Sequence, residues 1–419
     1  MNSVLDDEIK KIFNYVEKRG AAGNKNYPTF IEEKIKKYIE KRSKYSKIIY
    51  FYDFLFKKRG DLKGKKYLFF SPLFWDLFDN KEHKKETLLL AQGIKDRLFA
   101  VKKRIDYLPF DKYRNKIYDL YLKKTDPETV NTIKALVDIM SKELGLLPPK
   151  IIVFNNNSEI YEKLVIIACQ ESQKSTISLQ HGIWGSGLPQ FMLENECQCE
   201  YCFVWGDYFK KILLEKQIHK SSKCIVLGMP YSIKKPKKGM VDAFSKKRIN
   251  CVCFLGSTIS DCPLKKNAIN NIIKACKVLN LRFEYKPHPA VFKNKFPGEM
   301  EVLSTIDDHM ILTKKNININ QILKKNFLFL TFRSTSLIEA AVRGKLCAQI
   351  LIEGDEEEDN FQSLGICHAL ENDYFKIKEF LSKAIAGAIT PIHFNKKYIN
   401  YTNDISDKFY NTLKNIPDK

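Results

Sequence analysis

Short apolar strands alternate with amphipathic helices through the middle of this 419-residue sequence, and no other feature constrains the fold as strongly. The strand pattern KIIVF at 150–154 is followed by the helical pattern IYEKLVIIACQES and by the strand TISL at 176–179. The alternation resumes with CVCFLG at 251–256 and continues to LCAQILI at 346–352. Strands joined by single helices through short loops form parallel sheets with right-handed crossovers. We therefore predict an α/β protein with two Rossmann-like, doubly wound domains that face each other across a cleft.

A lysine-rich segment with few apolar residues separates the two alternating regions and marks a domain boundary. Upstream, residues 1 to about 60 and residues 90–146 have apolar positions at helical spacing, and we predict helices there. The predicted organisation is a first domain with a basic helical N-terminal extension over 1–235, a linker over 236–248, a second domain over 249–391 and a C-terminal helix over 392–419 that packs back on the first domain.

Two stretches, 47–60 and 66–78, combine aromatic and basic residues. Such a pattern fits either a strand and a helix of the core or an amphipathic element at a membrane surface. We favour the core because stripes of aromatic side chains are usually buried.

The formal net charge of +22 predicts attraction to an anionic partner, such as nucleic acid, a phosphorylated substrate or acidic lipid head groups. The lysines are scattered along the chain, and no RRM, KH, zinc-finger or helix-turn-helix signature occurs. We therefore expect no specific nucleic-acid partner. A basic nucleic-acid-binding protein stays as the alternative that is not an enzyme.

The cysteines and the N-terminal sequence predict a cytoplasmic protein without a metal. Eleven cysteines with no framework-like spacing favour a reducing compartment. The N-terminus lacks the apolar core of a signal peptide, and no apolar run approaches the 18 or so residues that cross a bilayer. Cys197, Cys199 and Cys202 suggest a zinc site, but no fourth ligand stands at the usual spacing, so we predict none.

The segment LQHGIWGSG, residues 179–187, follows the strand TISL. Glycines let backbone approach a ligand closely, and ligands of open α/β sheets bind just beyond the carboxyl ends of the strands. We predict that Gln180, Gly182 and Trp184 contact the donor or acceptor sugar. The alternative is a surface loop with a packed Trp184.

Three residues that each follow a first-domain strand are candidates for acid/base catalysis: Glu159, His181 and Asp207. Transfer to a hydroxyl group needs a carboxylate or an imidazole near that hydroxyl. Carboxylates are also common in loops for structural reasons alone, and that alternative stays open for each residue.

Lys286, His288 and Pro289 end the strand RFEY of the second domain. Two prolines stop both sheet and helix, so His288 is predicted in a rigid turn at the carboxyl edge. The imidazole can donate to a phosphate and the lysine adds positive charge. A purely structural turn is the alternative.

Ser334, Thr335 and Ser336 follow the strand FLFLT where a helix begins, and Glu339 lies in its first turn. We predict that the hydroxyls cap the helix and that this end binds a phosphate. The Glu339 carboxylate can accept hydrogen bonds from two ribose hydroxyls. The alternative is a plain N-cap with a glutamate favoured by the helix dipole.

Two further pairs are weaker candidates for contact with the sugar. Gly256 and Ser257 follow the first strand of the second domain and could equally form a glycine turn. Asp359 and Asn360 end an acidic run that could equally be a solvated loop.

Several of these motifs together resemble a known group of enzymes. The segments 180–182 (QHG), 204–206 (VWG) and 226–230 (VLGMP) resemble the first domain of the GT-B glycosyltransferases of bacterial surface polysaccharides, including capsule and lipopolysaccharide Kdo transferases. His288–Pro289 resembles the HP motif of bacterial sialyltransferases and polysialyltransferases, and Ser334–Ser336 resembles their serine-rich motif. The resemblance covers about residues 150 to 370.

The resemblance implies a GT-B glycosyltransferase that moves an acidic sugar, Kdo or a sialic or other nonulosonic acid, from a CMP-linked donor to a growing capsule, O-antigen or lipooligosaccharide. It implies that His288 and the serine motif hold the cytidine monophosphate and that no metal cofactor is required. The sialyltransferase acidic pair followed by glycine is absent upstream of the linker, so Glu159 is carried over as the acidic residue.

The expected partners are the nucleotide-sugar donor and a lipid-linked or oligosaccharide acceptor. Positive charge favours peripheral contact with the anionic inner face of the inner membrane. One alternative of the same fold is a CDP-glycerol-type polyol-phosphate transferase. Another is a UDP-sugar transferase or 2-epimerase; for an epimerase we expect several first-domain carboxylates around one sugar, and the sequence contains no such cluster.

Overall fold

A computed structural model gives the fold of the chain. The residues that it describes are 9–12, 14, 32–33, 35–36, 40, 62–70, 75–78, 80–122, 127–155, 160–180, 182, 190, 193–194, 197–220, 223–230, 249–256, 263–288, 297–307, 310–312, 319–353, 361–362, 364–392, 399–400 and 404–417. The chain divides into two compact units, unit 1 with residues 1–181, 189–232 and 399–419, and unit 2 with residues 182–188 and 233–398.

Among the described residues, unit 1 is built around a seven-stranded parallel sheet with the order β3-β2-β1-β4-β5-β6-β7. The strands are β1 (Tyr67–Phe70), β2 (Thr87–Ala91), β3 (Asp106–Pro109), β4 (Ile151–Phe154), β5 (Ser175–Leu179), β6 (Tyr201–Val204) and β7 (Cys224–Val226). The helices are α1 (Lys81–Lys85), α2 (Ile94–Lys103), α3 (Lys112–Leu122), α4 (Pro127–Gly145), α5 (Ile160–Glu171), α6 (Asp207–Glu215) and the C-terminal α12 (Ile405–Lys414).

Alternate residues of the unit 1 strands face two separate cores because successive side chains of a strand point to opposite faces. Leu68 belongs to a buried cluster with side chains of α3, α4 and α5. Tyr67 and Phe69 point to the opposite face, where α12 packs. The ring centroids of Phe69 and Phe409 lie 5.8 Å apart, and those of Tyr67 and Tyr410 lie 5.4 Å apart. Helix α12 therefore covers one face of the first sheet.

The helical prediction for 90–146 is wrong in part, because two strands interrupt it. Strand β2 ends within this region and β3 lies inside it; they form one side of the sheet beyond β1. Strand β2 has the sequence TLLLA and all five residues are buried. A short run that is apolar on both faces has no period-2 pattern, so periodicity alone cannot distinguish it from a buried helix.

The prediction that the aromatic stretch 66–78 belongs to the core is confirmed for the part that the structure describes. All four residues of β1 are buried, as are Leu77 and Phe78 of the 3-10 helix Trp75–Phe78. The stretch 47–60 lies outside the described residues. In the N-terminal extension the described residues are helical, and Ile9, Ile12 and Ile35 are buried in the same cluster as Leu68.

In the described part of unit 2, a five-stranded parallel sheet has the order β12-β11-β10-β8-β9. The strands are β8 (Cys251–Leu255), β9 (Arg282–Lys286), β10 (Leu328–Thr331), β11 (Leu346–Leu351) and β12 (His368–Glu371). The helices are α7 (Pro263–Val278), α8 (Pro297–Ser304), α9 (Ile319–Lys325), α10 (Ser336–Val342) and α11 (Tyr374–Ile385). The predicted strands and helices from 251 to 352 are confirmed, while α8, β12 and α11 were not anticipated.

The order of the unit 2 strands creates a topological switch point. The chain moves from β8 outward to β9 on one side, and returns to β10 on the other side of β8. In doubly wound sheets the loops that follow the two strands at such a point separate, and ligands bind in the crevice between them. The loops after β8 and β10 are therefore the expected ligand-binding positions of this unit. None of the described helices is long and apolar enough to cross a membrane.

Candidate functional site

Three neighbouring strands of unit 2 carry the segments predicted to bind the nucleotide and the sugar, at the same edge of the sheet. Gly256 directly follows β8, and its backbone N–H donates a 2.8 Å hydrogen bond to the carbonyl of Lys286, the last residue of β9. His288 lies two residues beyond Lys286, and Ser334 lies three residues beyond the end of β10. The parallel register brings the carboxyl ends of the strands together, because β8 pairs with both β9 and β10.

Thr331, the last residue of β10, ties this edge together through its hydroxyl group. Its Oγ1 donates to the carbonyl of Leu255 at the end of β8 over 2.7 Å. The same oxygen accepts from the backbone N–H of Ser334 over 2.9 Å. Thr331 is fully buried, so both bonds are shielded from water. One hydroxyl thus fixes the turn after β10 to the adjacent strand at the switch point.

Gln349 fixes the same turn from the side of β11. Its Nε2 donates to the carbonyl of Phe332 over 2.9 Å, and its Oε1 accepts from the backbone N–H of Phe361 over 2.7 Å. Gln349 is buried, as are Phe332 and Phe361. This amide joins the turn after β10 to the chain that follows the acidic run. Asp359 and Asn360 themselves lie outside the described residues.

The serine and threonine hydroxyls at the start of α10 do not cap the helix in the predicted way. Thr335 occupies the N-cap position with helical φ and ψ angles of −52° and −27°, and its side chain makes no capping hydrogen bond. The Ser334 N–H is satisfied by Thr331 instead. Ser334 is buried, whereas Thr335 and Ser336 are half-buried. Because capping does not use the Thr335 hydroxyl, the predicted role in phosphate binding still stands as a prediction.

Glu339 lies in the first turn of α10, as predicted, and forms an ion pair with Arg343. The Glu339 Oε2 and the Arg343 Nη1 lie 3.5 Å apart, and both side chains are about one-fifth exposed. The arginine lies one helical turn away from the carboxylate, as in other i,i+4 pairs. Carboxylate oxygens accept hydrogen bonds, which a contact with ribose hydroxyls requires.

His288 is half-buried close to the positive charge of Lys286. Burial lowers the pKa of His288, and the Lys286 ammonium group lowers it further. The imidazole is therefore neutral at pH 7, with one N–H donor. An anion bound beside it would raise this pKa, because a negative charge favours the protonated form. Pro289 and Ser257, predicted for the same site, lie outside the described residues.

Gln180 lies at the end of β5 in unit 1 and is bonded to Trp205 at the end of β6. The Gln180 Oε1 accepts from the backbone N–H of Trp205 over 2.8 Å. The Trp205 indole Nε1 donates to the backbone carbonyl of Gln180 over 2.7 Å. Both residues are about 1% exposed. Gln180 therefore holds together the strand ends from which the QHG loop departs; its predicted contact with a sugar stays a prediction.

The other first-domain candidates are only partly described. Asp207 is the exposed first residue of α6. Gly182 is half-buried, its φ lies outside the left-handed region, and a Cβ built on it meets no atom within 4 Å. The conformation of Gly182 therefore does not by itself demand glycine. Glu159, His181 and Trp184 lie outside the described residues.

Sequence reasoning missed Gly228 as a structurally required residue, although it lies within the VLGMP motif. Its φ of +104° is in the region that favours glycine, and an added Cβ would stand 3.0 Å from the carbonyl oxygen of Asn400. The next residue, Met229, donates its N–H to that same oxygen over 2.8 Å. The glycine thus allows the C-terminal segment to approach the end of β7 closely. The sequence signal was the glycine itself, but its neighbour is about 170 residues away.

No protein-family model and no curated protein sequence matches the chain. Solved structures do match it over 84% of its length. A UDP-GlcNAc 2-epimerase from Methanocaldococcus jannaschii, in complex with UDP-GlcNAc and UDP, has a TM-score of 0.54 and 14% identity, with 99% of that chain covered. A UDP-GlcNAc 2-epimerase from Neisseria meningitidis bound to UDP-GlcNAc has the same TM-score and identity, with 100% covered. A glycosyltransferase from Rickettsia africae has a TM-score of 0.50 and 11% identity, with 97% covered.

At these identities the similarity defines the fold. The chain is an α/β protein with two Rossmann-like units, of the GT-B type found in nucleotide-sugar epimerases and glycosyltransferases. The predicted fold class is confirmed, and the resemblance is confirmed at the level of that fold.

Proposed function

We propose that the chain is a glycosyltransferase whose unit 2 binds the nucleotide part of a nucleotide-sugar donor. The observation that carries this proposal is the arrangement around Thr331, where the ends of β8, β9 and β10 are hydrogen-bonded together at the topological switch point. Ligands of doubly wound sheets bind at this position. The GT-B fold of enzymes that were solved with UDP-GlcNAc supports the same class of ligand.

The donor in this proposal is a CMP-linked acidic sugar, Kdo or a nonulosonic acid. Lys286, His288 and Pro289 contact the phosphate from the β9 side. Ser334, Thr335 and Ser336 donate hydroxyl hydrogen bonds to it from the β10 side.

Glu339 accepts from the ribose hydroxyls in this scheme. The donor sugar contacts Gly256, Ser257, Asp359 and Asn360. Side chains and backbone N–H groups balance the charge of the leaving phosphate, so the transfer itself needs no metal.

Unit 1 acts on the acceptor in this proposal. Glu159, His181 or Asp207 removes the proton of the attacking hydroxyl, as general base catalysis requires. The acceptor is a lipid-linked or oligosaccharide glycan of the bacterial surface, extended in the cytoplasm. The net charge of +22 favours peripheral contact with an anionic membrane surface, where such acceptors lie.

A UDP-sugar 2-epimerase is the second candidate, because two of the matching structures are UDP-GlcNAc 2-epimerases solved with that substrate. An epimerase converts UDP-GlcNAc without an acceptor. Its melting temperature should rise more with UDP than with CMP. A glycosyltransferase releases its nucleotide at a rate that depends on an acceptor glycan.

The test is a thermal-shift panel with CMP, UMP, CDP, UDP and GDP on the wild type and on Thr331→Val. A ligand that binds only the native state raises the melting temperature by mass action. Thr331→Val preserves the side-chain shape but removes both hydrogen bonds at the switch point, so the nucleotide-induced shift should shrink or vanish. His288→Ala should reduce the melting-temperature shift for every nucleotide whose phosphate contacts the His288 imidazole.

The matched control is Thr176→Val in unit 1. Thr176 is equally buried, and its Oγ1 accepts from the backbone N–H of Glu200 over 2.9 Å. It should lower the basal melting temperature while leaving the nucleotide-induced shift intact. The largest shift with CMP supports the proposal, and the largest shift with UDP together with acceptor-free conversion of UDP-GlcNAc supports the epimerase. If no nucleotide stabilises the wild type, unit 2 is not a nucleotide-binding unit and the proposal fails.

A further inference from the structure

Two cysteines and a histidine converge in unit 1, outside the residues used in the proposed function. The Sγ atoms of Cys197 and Cys202 lie 3.8 Å apart. His219 brings a ring nitrogen to the same place, and the three candidate ligand atoms all lie within 4.8 Å of one another. Both cysteines are buried and the histidine is half-buried. Cys197 precedes β6, Cys202 lies within it, and His219 follows α6.

We propose that Cys197, Cys202 and His219 bind a zinc ion that fastens the chain before β6 to the chain after α6. Thiolate and imidazole are ligands that Zn²⁺ prefers, at Zn–S distances of about 2.3 Å in tetrahedral geometry. With these bond lengths and the tetrahedral angle, two sulfurs bound to one zinc ion lie about 3.8 Å apart. The observed Sγ–Sγ distance matches this value. It is far longer than the roughly 2.05 Å of a disulfide bond.

Two observations on His219 fit a metal ligand. Its ring is hydrogen-bonded to the backbone of Cys197. Its Nε2 is buried and has no hydrogen-bond partner among the described residues. Metal-binding histidines commonly use one ring nitrogen for a backbone hydrogen bond and the other for the ion. A buried imidazole nitrogen without a partner is costly, and a zinc ion would satisfy it.

The middle cysteine of the C-x-C-x-x-C segment, Cys199, is not part of the cluster. Cys199 is buried in the apolar cluster that contains side chains of α4 and α5. The third ligand instead comes from His219, 17 positions after Cys202 and on the far side of α6. This explains why the spacing of the cysteines alone predicted no metal. The fourth position of the tetrahedron is left for water, because these three residues form the whole cluster among the described residues.

Charge balance favours this arrangement in a buried place. When the ion binds, each of the two thiols loses its proton to solvent and forms one S–Zn bond, while the imidazole binds through its neutral nitrogen. Two thiolates neutralise the dication, so the occupied site carries no net charge into the interior. The metal would hold the residues just before β6 against the residues just after α6.

The test measures zinc in the full-length protein, purified under reducing conditions and dialysed free of loosely held metal. The wild type should retain about one zinc ion per chain, while Cys202→Ser and His219→Gln should lose most of it. Cys276→Ser is the matched control, since Cys276 is equally buried but lies in unit 2. It should retain the wild-type amount. Cobalt(II) reconstitution should give the thiolate charge-transfer band of a tetrahedral site in the wild type and in the control.

A second measurement covers the case in which the ligand variants fail to fold. A chelator added to the wild type should lower its melting temperature, and zinc in excess of the chelator should restore it. Wild-type protein with no more zinc than the Cys202→Ser variant would overturn the proposal. So would a Cys197–Cys202 disulfide found in peptides from protein purified under reducing conditions. None of these measurements depends on nucleotide binding or transferase activity, so the zinc site and the proposed function can fail separately.

Discussion

Replacing Gln180 by leucine tests whether the first residue of the QHG motif is a structural clamp. The substitution keeps nearly the same volume and leaves the bond from the Trp205 indole to the backbone of residue 180 intact. It removes the acceptor of the Trp205 backbone N–H, which is buried. A buried donor left without a partner costs about 1–3 kcal/mol. The local free energy of opening at the end of β6 should fall by that amount.

Amide hydrogen exchange is the appropriate assay, because it reports local opening in a chain with two units. A loss of 1–3 kcal/mol corresponds to about 5-fold to 150-fold faster exchange of the Trp205 amide under native conditions. The peptide that covers β8 in unit 2 serves as an internal reference and should not change.

Gln190→Leu is the matched control for this substitution. Gln190 is exposed and donates a 2.9 Å hydrogen bond to Glu194, also at the surface. Loss of an exposed bond of this kind changes stability by less than about 0.5 kcal/mol. If the Trp205 amide in Gln180→Leu exchanges within about twofold of the wild-type rate, the clamp contributes nothing to stability and the argument is refuted.

Three further predictions follow from the same structure. Gly228→Ala should destabilise unit 1 by more than the roughly 1–2 kcal/mol of left-handed strain, because the new Cβ would stand 3.0 Å from a backbone carbonyl oxygen. Gly344→Ala is the control: its φ is +70° and the space around it is open, so its stability should fall only by the strain energy. Urea unfolding measures both losses. Nucleotide affinity should rise as the pH is lowered from 7.5 to 6. The pKa of His288 is lowered in the free protein, and a bound phosphate raises it, so the complex takes up a proton. In a calorimetric titration, His288→Gln should lack this part of the pH dependence. Arg97→Met should cost about 3–5 kcal/mol in urea unfolding, since it leaves the buried Asp111 carboxylate without its 2.9 Å ion pair, and a loss below about 1 kcal/mol would contradict this.

Much of unit 2 could be predicted because its sequence carries the pattern of its fold directly. The segments that end in Gly256, His288 and Ser334 follow strands with clear turn signals, and parallel pairing then brings those ends to one edge. What the sequence could not give is the bond from Thr331 to Leu255. That bond depends on β10 lying beside β8, and strand order is set by packing between distant parts of the chain.

In unit 1, the hydrophobic periodicity of the sequence did not identify strands β2 and β3. Strand β2 is buried on both faces and β3 is only four residues long. Each lies next to a strongly helical segment, and local periodicity favoured the helix. The metal-type cluster was missed for a related reason, since His219 approaches Cys202 only after α6 has returned the chain.

The carboxyl edge of the first sheet is held by a chain of hydrogen bonds that crosses three strands. Gln180 beyond β5 bonds to Trp205 beyond β6, and the Trp205 carbonyl accepts from the Asn400 N–H over 2.7 Å. The Asn400 carbonyl accepts in turn from Met229 beyond β7 over 2.8 Å. The C-terminal segment therefore completes the edge before α12 covers one face of the sheet. In the sequence, His181 directly follows Gln180 and Asp207 comes two positions after Trp205; both are among the three proposed acid/base residues, with Glu159. A rigid support of this kind is what a catalytic side chain needs, because small displacements of a reacting group cost large factors in rate.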